Sequence, residues 1–435
     1  MIWFFQKTSP VVVLATLLVS GYLYVTEESL ITEVGGFTLH VTDLLFVLAA
    51  MYCLAGALVR WHSSLEIVLL MLSAMLLLSF GRGIVTWGSG PAGVQFRQVA
   101  VFIALATFVY FWGRGLKIDW VFKAVVVLGW GIVALSIARL VLGLDAFILQ
   151  ERDPSYEFRT LNSESALMLG EAALIALNSA LSASRRTPRL AYTASFVVFA
   201  VAVFVSNQRT SAFAMLAGVG MIIAFLPRRY RTIVFGAGSL ALTVAAMILG
   251  VMWIELGNDI VDYLPRAVSM IVLGEETYGA REVIWASYLD AYAQWPLIDQ
   301  LLGQPFGGTQ LAISQTSDSY VMLSPHNGYI ALLINIGALG VLLFAAVLIL
   351  ALVKGVFLLT REKRLDPSPN LRWAVAVVAS HAVYSYGYLL SNDQGLLLAL
   401  ALQIIATPSR VSSEVQLVQP NRLVSGTGRR IRYQG

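Results

Sequence analysis

The chain of 435 residues is 58% hydrophobic and 12% charged, with a formal net charge of +4 and a mean hydropathy of +0.76. Soluble domains carry about 25% charged residues, so a water-soluble globule is excluded and lipid is the solvent that fits. The single cysteine, Cys53, allows no intramolecular disulfide and reads as a packing residue.

A bilayer core needs roughly 20 apolar residues per helix, and a chain in lipid must satisfy its own backbone hydrogen bonds. The expectation is therefore an all-α polytopic membrane protein of about 12 transmembrane helices. In chain order the spans are 9–25, 41–59, 64–81, 94–112, 119–142, 165–182, 190–207, 209–226, 232–253, 327–358, 373–390 and 393–408. The first lacks the cleavage site of a signal peptide. The run 327–358 is too long for a simple span and is expected to tilt or to project into the cytoplasm. This divides the chain into nine spans within 1–253, a loop at 254–325, three spans within 326–408 and a basic tail at 409–435.

Lysine and arginine collect in alternate loops: Arg60; Arg114 and Lys117; Arg185, Arg186 and Arg189; Arg228, Arg229 and Arg231; Lys354, Arg361, Lys363, Arg364 and Arg372; and the tail. The positive-inside rule assigns these loops and both termini to the cytoplasm. The tail reads as a topology anchor near anionic lipid, not as a nucleic-acid site. Two outer loops are long, Gly143 to about Glu164 and about Ile254 to Pro325, and a loop as long as the second carries function more often than mere connection.

The arginines outside the inside-positive pattern are Arg82, Arg97, Arg139, Arg152, Arg159, Arg209, Arg266 and Arg281, and no lysine joins them. Each could pair with a local carboxylate such as Glu151, Asp153, Glu157 or Glu171. Guanidinium is preferred to ammonium where phosphate is gripped by a planar fork, so the set also suits a lipid-linked phosphate or diphosphate. In the long loop, residues 279–295 read as a helix with Arg281, Trp285, Tyr288, Tyr292 and Trp295 on one face. That face fits a helix lying on the bilayer, or an aromatic platform for sugar rings with Arg281 beside it. Pro296 and Leu301–Gly308 end the helix and turn the chain. His326 then sits at the start of an apolar helix, where the dipole favours a neutral imidazole able to accept a proton. His381, mid-helix beside Tyr384 and Tyr386, reads as a satisfied packing residue. No Cys/His cluster has metal spacing, and no phosphate-loop or dinucleotide fingerprint appears.

Three blocks resemble the bacterial O-antigen ligase and polymerase superfamily: SNQRTSAFAMLAG with Arg209, AREVIWASYLDAYAQWPLIDQLLGQPFGG with Arg281 and Trp285, and PHNGYIALLINIGALG with His326. The resemblance spans roughly residues 155–350. It implies a glycosyltransferase of the GT-C type that needs no metal or cofactor. The donor would be an undecaprenyl-diphosphate-linked glycan, presented at the periplasmic face of the bacterial inner membrane. The acceptor would be lipid A–core, for a ligase of lipopolysaccharide biosynthesis, or a growing polysaccharide, for a polymerase. His326 would be the catalytic base. Arg209, Arg281, Arg97, Arg159 and Arg139 would bind the donor diphosphate, and Trp285, Tyr288 and Tyr292 the glycan or acceptor. A lipid-linked glycan flippase or other transporter is the rival class, but such a protein needs more charge deep in its helices than this chain carries.

Overall fold

Apolar runs without a water partner for their amides close into helices, and the computed structural model is built that way. It describes residues 31–34, 37–40, 63–93, 95–96, 99, 110, 118–142, 161–206, 208–227, 231, 275–308, 325–362, 368–388 and 392–406. The main helices are α1 (Ser64–Trp87), α2 (Ile118–Leu142), α3 (Ser163–Ser182), α4 (Arg186–Val205), α5 (Arg209–Ala224), α6 (Glu275–Ala293), α7 (Leu297–Leu302), α8 (Gly328–Glu362), α9 (Pro369–Gly387) and α10 (Asn392–Ala406). Five of them, α1 to α4 and α8, contain stretches long and apolar enough to cross a membrane, and α5 and α10 contain shorter apolar stretches. The expected spans 9–25, 41–59 and 232–253 lie outside the described residues, as does most of 94–112.

Two features add to the expected pattern. The fold is helical, with one short antiparallel hairpin, Ile31–Val34 (β1) paired with Phe37–His40 (β2), among the described residues. Its strands hold β-branched and aromatic residues around Gly35-Gly36, a two-residue hairpin signal. The second concerns 327–358, which is broken: Gly337 has φ 68° and ψ −174° within α8. Gly303, φ 75°, faces the break, and a Cβ on it would stand 2.5 Å from the backbone nitrogens of Ile336 and Gly337. Two glycines thus let the chain after α7 reach the backbone of α8. The interrupted ladder is repaired from outside, since the Gln304 N–H donates to the Ile334 carbonyl at 2.7 Å and the Ser79 hydroxyl donates to the Asn335 carbonyl.

The core is a packed layer of helices with α3, α5 and α9 at its centre. Trp373 of α9 is fully buried against the edge of Phe122. Glu171 of α3 and His381 of α9, each 1% exposed, meet at 3.3 Å, and the His381 Nδ1 also lies 3.0 Å from the Val377 carbonyl. His381 is thus one neighbour of the Glu171 carboxylate. At one end of the bundle, Asn178 donates to the Pro369 carbonyl at 2.9 Å and Arg372 to the Ser182 hydroxyl at 3.2 Å. Arg185, Arg186 and Arg189 follow Ser182 directly, so these basic loops share that end.

Candidate active site

The opposite end gathers the starts of α3, α5 and α8 and the end of α9. Asn327 begins α8 as its cap: its side-chain oxygen accepts from the N–H groups of Tyr329 at 3.0 Å and Ile330 at 3.1 Å, two donors a helix start leaves without partners. Gly328 lets this start approach α9, where a Cβ would stand 3.1 Å from the carbonyl oxygens of Ser385 and Tyr388.

His326 stands just before that cap, exposed, with φ 43°. It is the one non-glycine residue in the left-handed region among the described residues. Such backbone costs about 1–3 kcal/mol and persists where neighbours hold it. Here the holder is Trp285 of α6, whose indole N–H donates to the Pro325 carbonyl at 2.6 Å. Trp285 is itself wedged among Tyr288, Ile330 and Ile334 and meets the Tyr386 ring edge-on at 5.3 Å.

Arg281, one turn before Trp285 on α6, donates to the Gly387 carbonyl at 3.3 Å and lies over the Tyr388 ring, 5.1 Å from its centre. Tyr388 also meets the His326 ring edge-on at 6.5 Å, and its hydroxyl donates to the Gln208 side-chain oxygen at 3.0 Å. Gln208 is buried, donates in turn to the Leu161 carbonyl at 2.9 Å, and immediately precedes Arg209, the first residue of α5. The neighbouring Ser211 donates to the Ser163 carbonyl at the start of α3 at 3.1 Å. Tyr388 therefore links the three elements that carry Arg209, Arg281 and His326.

Other expected site residues fall differently. Tyr288 is buried beside Trp285, and burial raises its phenol above the ordinary value. The Tyr292 hydroxyl donates to the Gln300 carbonyl at 2.8 Å, tying α6 to α7. The aromatic stripe of α6 is thus engaged with the protein at all three positions. Arg97 and Arg159 lie outside the described residues, and of Arg139 only its place in α2 is described. Arg82 of α1 is a clamp, 2.9 Å from both the Asp299 carboxylate and the Gly303 carbonyl. Tyr388 and Gln208 were not among the site residues expected from the sequence. The run Tyr384–Tyr386–Tyr388 at a helix end was a signal for the first, and Gln208 carried none beyond its place before Arg209.

A bundle of apolar spans with a polar cluster at one end defines a polytopic helical membrane protein. Residues 194–345 match the protein-family model described as O-antigen ligase, so this stretch is similar to that family. It contains Gln208, Arg209, Arg281, Trp285 and His326, whereas Tyr388 lies beyond it. No curated protein matches the chain significantly.

Proposed function

We propose that this protein is a glycosyltransferase that moves a glycan from undecaprenyl diphosphate to an acceptor hydroxyl at the periplasmic face of the inner membrane. The observation that carries the reading is the convergence on Tyr388 of Arg281, His326 and the helix start bearing Arg209, with those three residues inside the stretch that matches the family. The alternating basic loops support cytoplasmic termini, and with them a periplasmic site.

In this mechanism His326 takes the proton of the acceptor hydroxyl. The freed oxygen attacks the anomeric carbon, the bond from that carbon to the phosphate oxygen breaks, and the lipid diphosphate departs. Attack from the opposite face inverts the anomeric centre. Arg281 and Arg209 stabilise charge on the leaving diphosphate. A guanidinium carries five donors, and Arg281, unlike Arg82, has a neutral carbonyl and a ring for partners here. Such charges, already oriented, stabilise a developing anion without reorganisation. Holding acceptor and donor together makes the step nearly unimolecular, and a positioned base adds roughly 10²–10⁴-fold.

The acceptor we favour is lipid A–core, as in a ligase. The test is to incubate purified protein with an undecaprenyl-diphosphate glycan and either lipid A–core or free glycan. Transfer to lipid A–core supports the ligase, extension of the glycan supports a polymerase, and transfer to neither, by protein that binds donor, removes the reading.

A further inference from the structure

The short helix α7 belongs to the loop 254–325, expected on the outer side of the membrane. Its contacts give it a depth. α1 is a 24-residue helix capped at Ser63, roughly 36 Å long against a bilayer core of roughly 30 Å. Ser79 lies about 24 Å along it from the cap and Arg82 about 28 Å. Ser79 bonds Asn335 beside the break in α8, and Arg82 bonds both Asp299 of α7 and Gly303 at its end. The helix and its exit turn therefore lie level with the last turns of α1, within the thickness that α1 itself spans.

The polar and apolar groups of α7 are sorted accordingly. Asp299 turns to Arg82, and the Gln300 amide donates to the Ala293 and Trp295 carbonyls. In the turn that follows, the Gly303 N–H bonds the Asp299 carbonyl, the Gln304 N–H the Ile334 carbonyl, and the Gly307 N–H the Gln95 side chain. Protein partners thus satisfy these backbone groups, as irregular backbone at membrane depth requires. What α7 leaves outward is apolar: Leu297 is 71% exposed and Ile298 59%, with Leu301 beside them. On α8, just past the break, Leu339 and Leu342 are exposed as well.

We propose that α7 is a re-entrant helix inserted in the leaflet that holds the Trp87 end of α1, with Leu297, Ile298 and Leu301 lying among lipid acyl chains.

The test uses the full chain in liposomes. In a Cys53→Ser background, a nitroxide is placed at Ile298→Cys, and separately at Glu282→Cys, an exposed position on α6. Collisions with oxygen, which dissolves in lipid, and with a water-soluble nickel chelate are compared. The position-298 label should favour oxygen severalfold more than the position-282 label. In the parent protein, a phospholipid with a photoactivatable acyl chain should label the peptide holding Leu297–Leu302. A position-298 label as open to nickel as that at 282, or acyl-chain labelling of α8 without any on α7, overturns the proposal. Should the labelled variant fail to fold, the parent labelling decides alone.

Discussion

The Trp285 indole N–H donates to the Pro325 carbonyl at 2.6 Å, one residue before the left-handed His326. This bond lets a residue of the long loop set the backbone that presents the proposed base. Trp285→Phe keeps the ring and removes the donor. A lost hydrogen bond of about 1–1.5 kcal/mol corresponds to a fall in turnover of up to roughly tenfold. Donor affinity should stay near that of the parent. Turnover and donor binding measured on the same folded preparation check this, and equal loss of both would mean that Trp285 acts only through packing.

His326→Ala should abolish transfer while donor binding survives, because a base acts on the acceptor. Only the neutral imidazole can take a proton, so the parent's rate should show a limb that climbs as pH rises. That limb should be missing from any residual activity of the variant. Turnover within a few-fold of the parent by folded, donor-binding variant would take His326 out of the mechanism.

Arg281→Lys retains charge but not the planar fork, and should weaken donor binding, as should Arg209→Lys. Tyr388→Phe keeps the ring beneath Arg281 and loses the bond to Gln208, whereas Tyr388→Leu loses the cation–π contact too. That contact is worth roughly 0.5–2 kcal/mol, so the leucine variant should bind donor several-fold more weakly than the phenylalanine one. Titration with a lipid diphosphate would order the four, and parent-like binding by both arginine variants would make those residues structural.

Gly337→Ala should destabilise the fold. The residue has a positive φ, and a Cβ would run into the Leu301 carbonyl. Backbone at positive φ with an extended ψ costs about 1–3 kcal/mol for a residue with a Cβ, and overpacking about 1–3 kcal/mol more. Gly220→Ala, where a Cβ meets open space, should be tolerated. Thermal unfolding in detergent distinguishes them, and equal midpoints would contradict the packing at the break.

Activity should persist in EDTA, since no His/Cys motif in the sequence has metal spacing. Loss on chelation that Mg²⁺ or Mn²⁺ restores would reveal an ion that the mechanism omits.

Local and periodic properties were readable from the residues alone. Apolar runs without charge become helices in lipid wherever they sit in the chain, so the start of α8 was legible to within a residue. Arg209, Arg281 and His326 stood out because arginines beside apolar runs and a histidine at a helix start are local anomalies. What tertiary structure decided depends on pairs far apart in sequence. The break at Gly337 is stabilised by Gly303 and Ser79, neither of which a helical pattern over 327–358 can reveal. What the aromatic face of α6 meets could not be read from its spacing, because such a stripe is the same whether ligand, lipid or protein covers it; α8 packs against Trp285 and Tyr288. Tyr388 acquires its place only when α9 ends against α5 and α6, since a side chain's partners follow from where the chain returns, not from its neighbours in sequence.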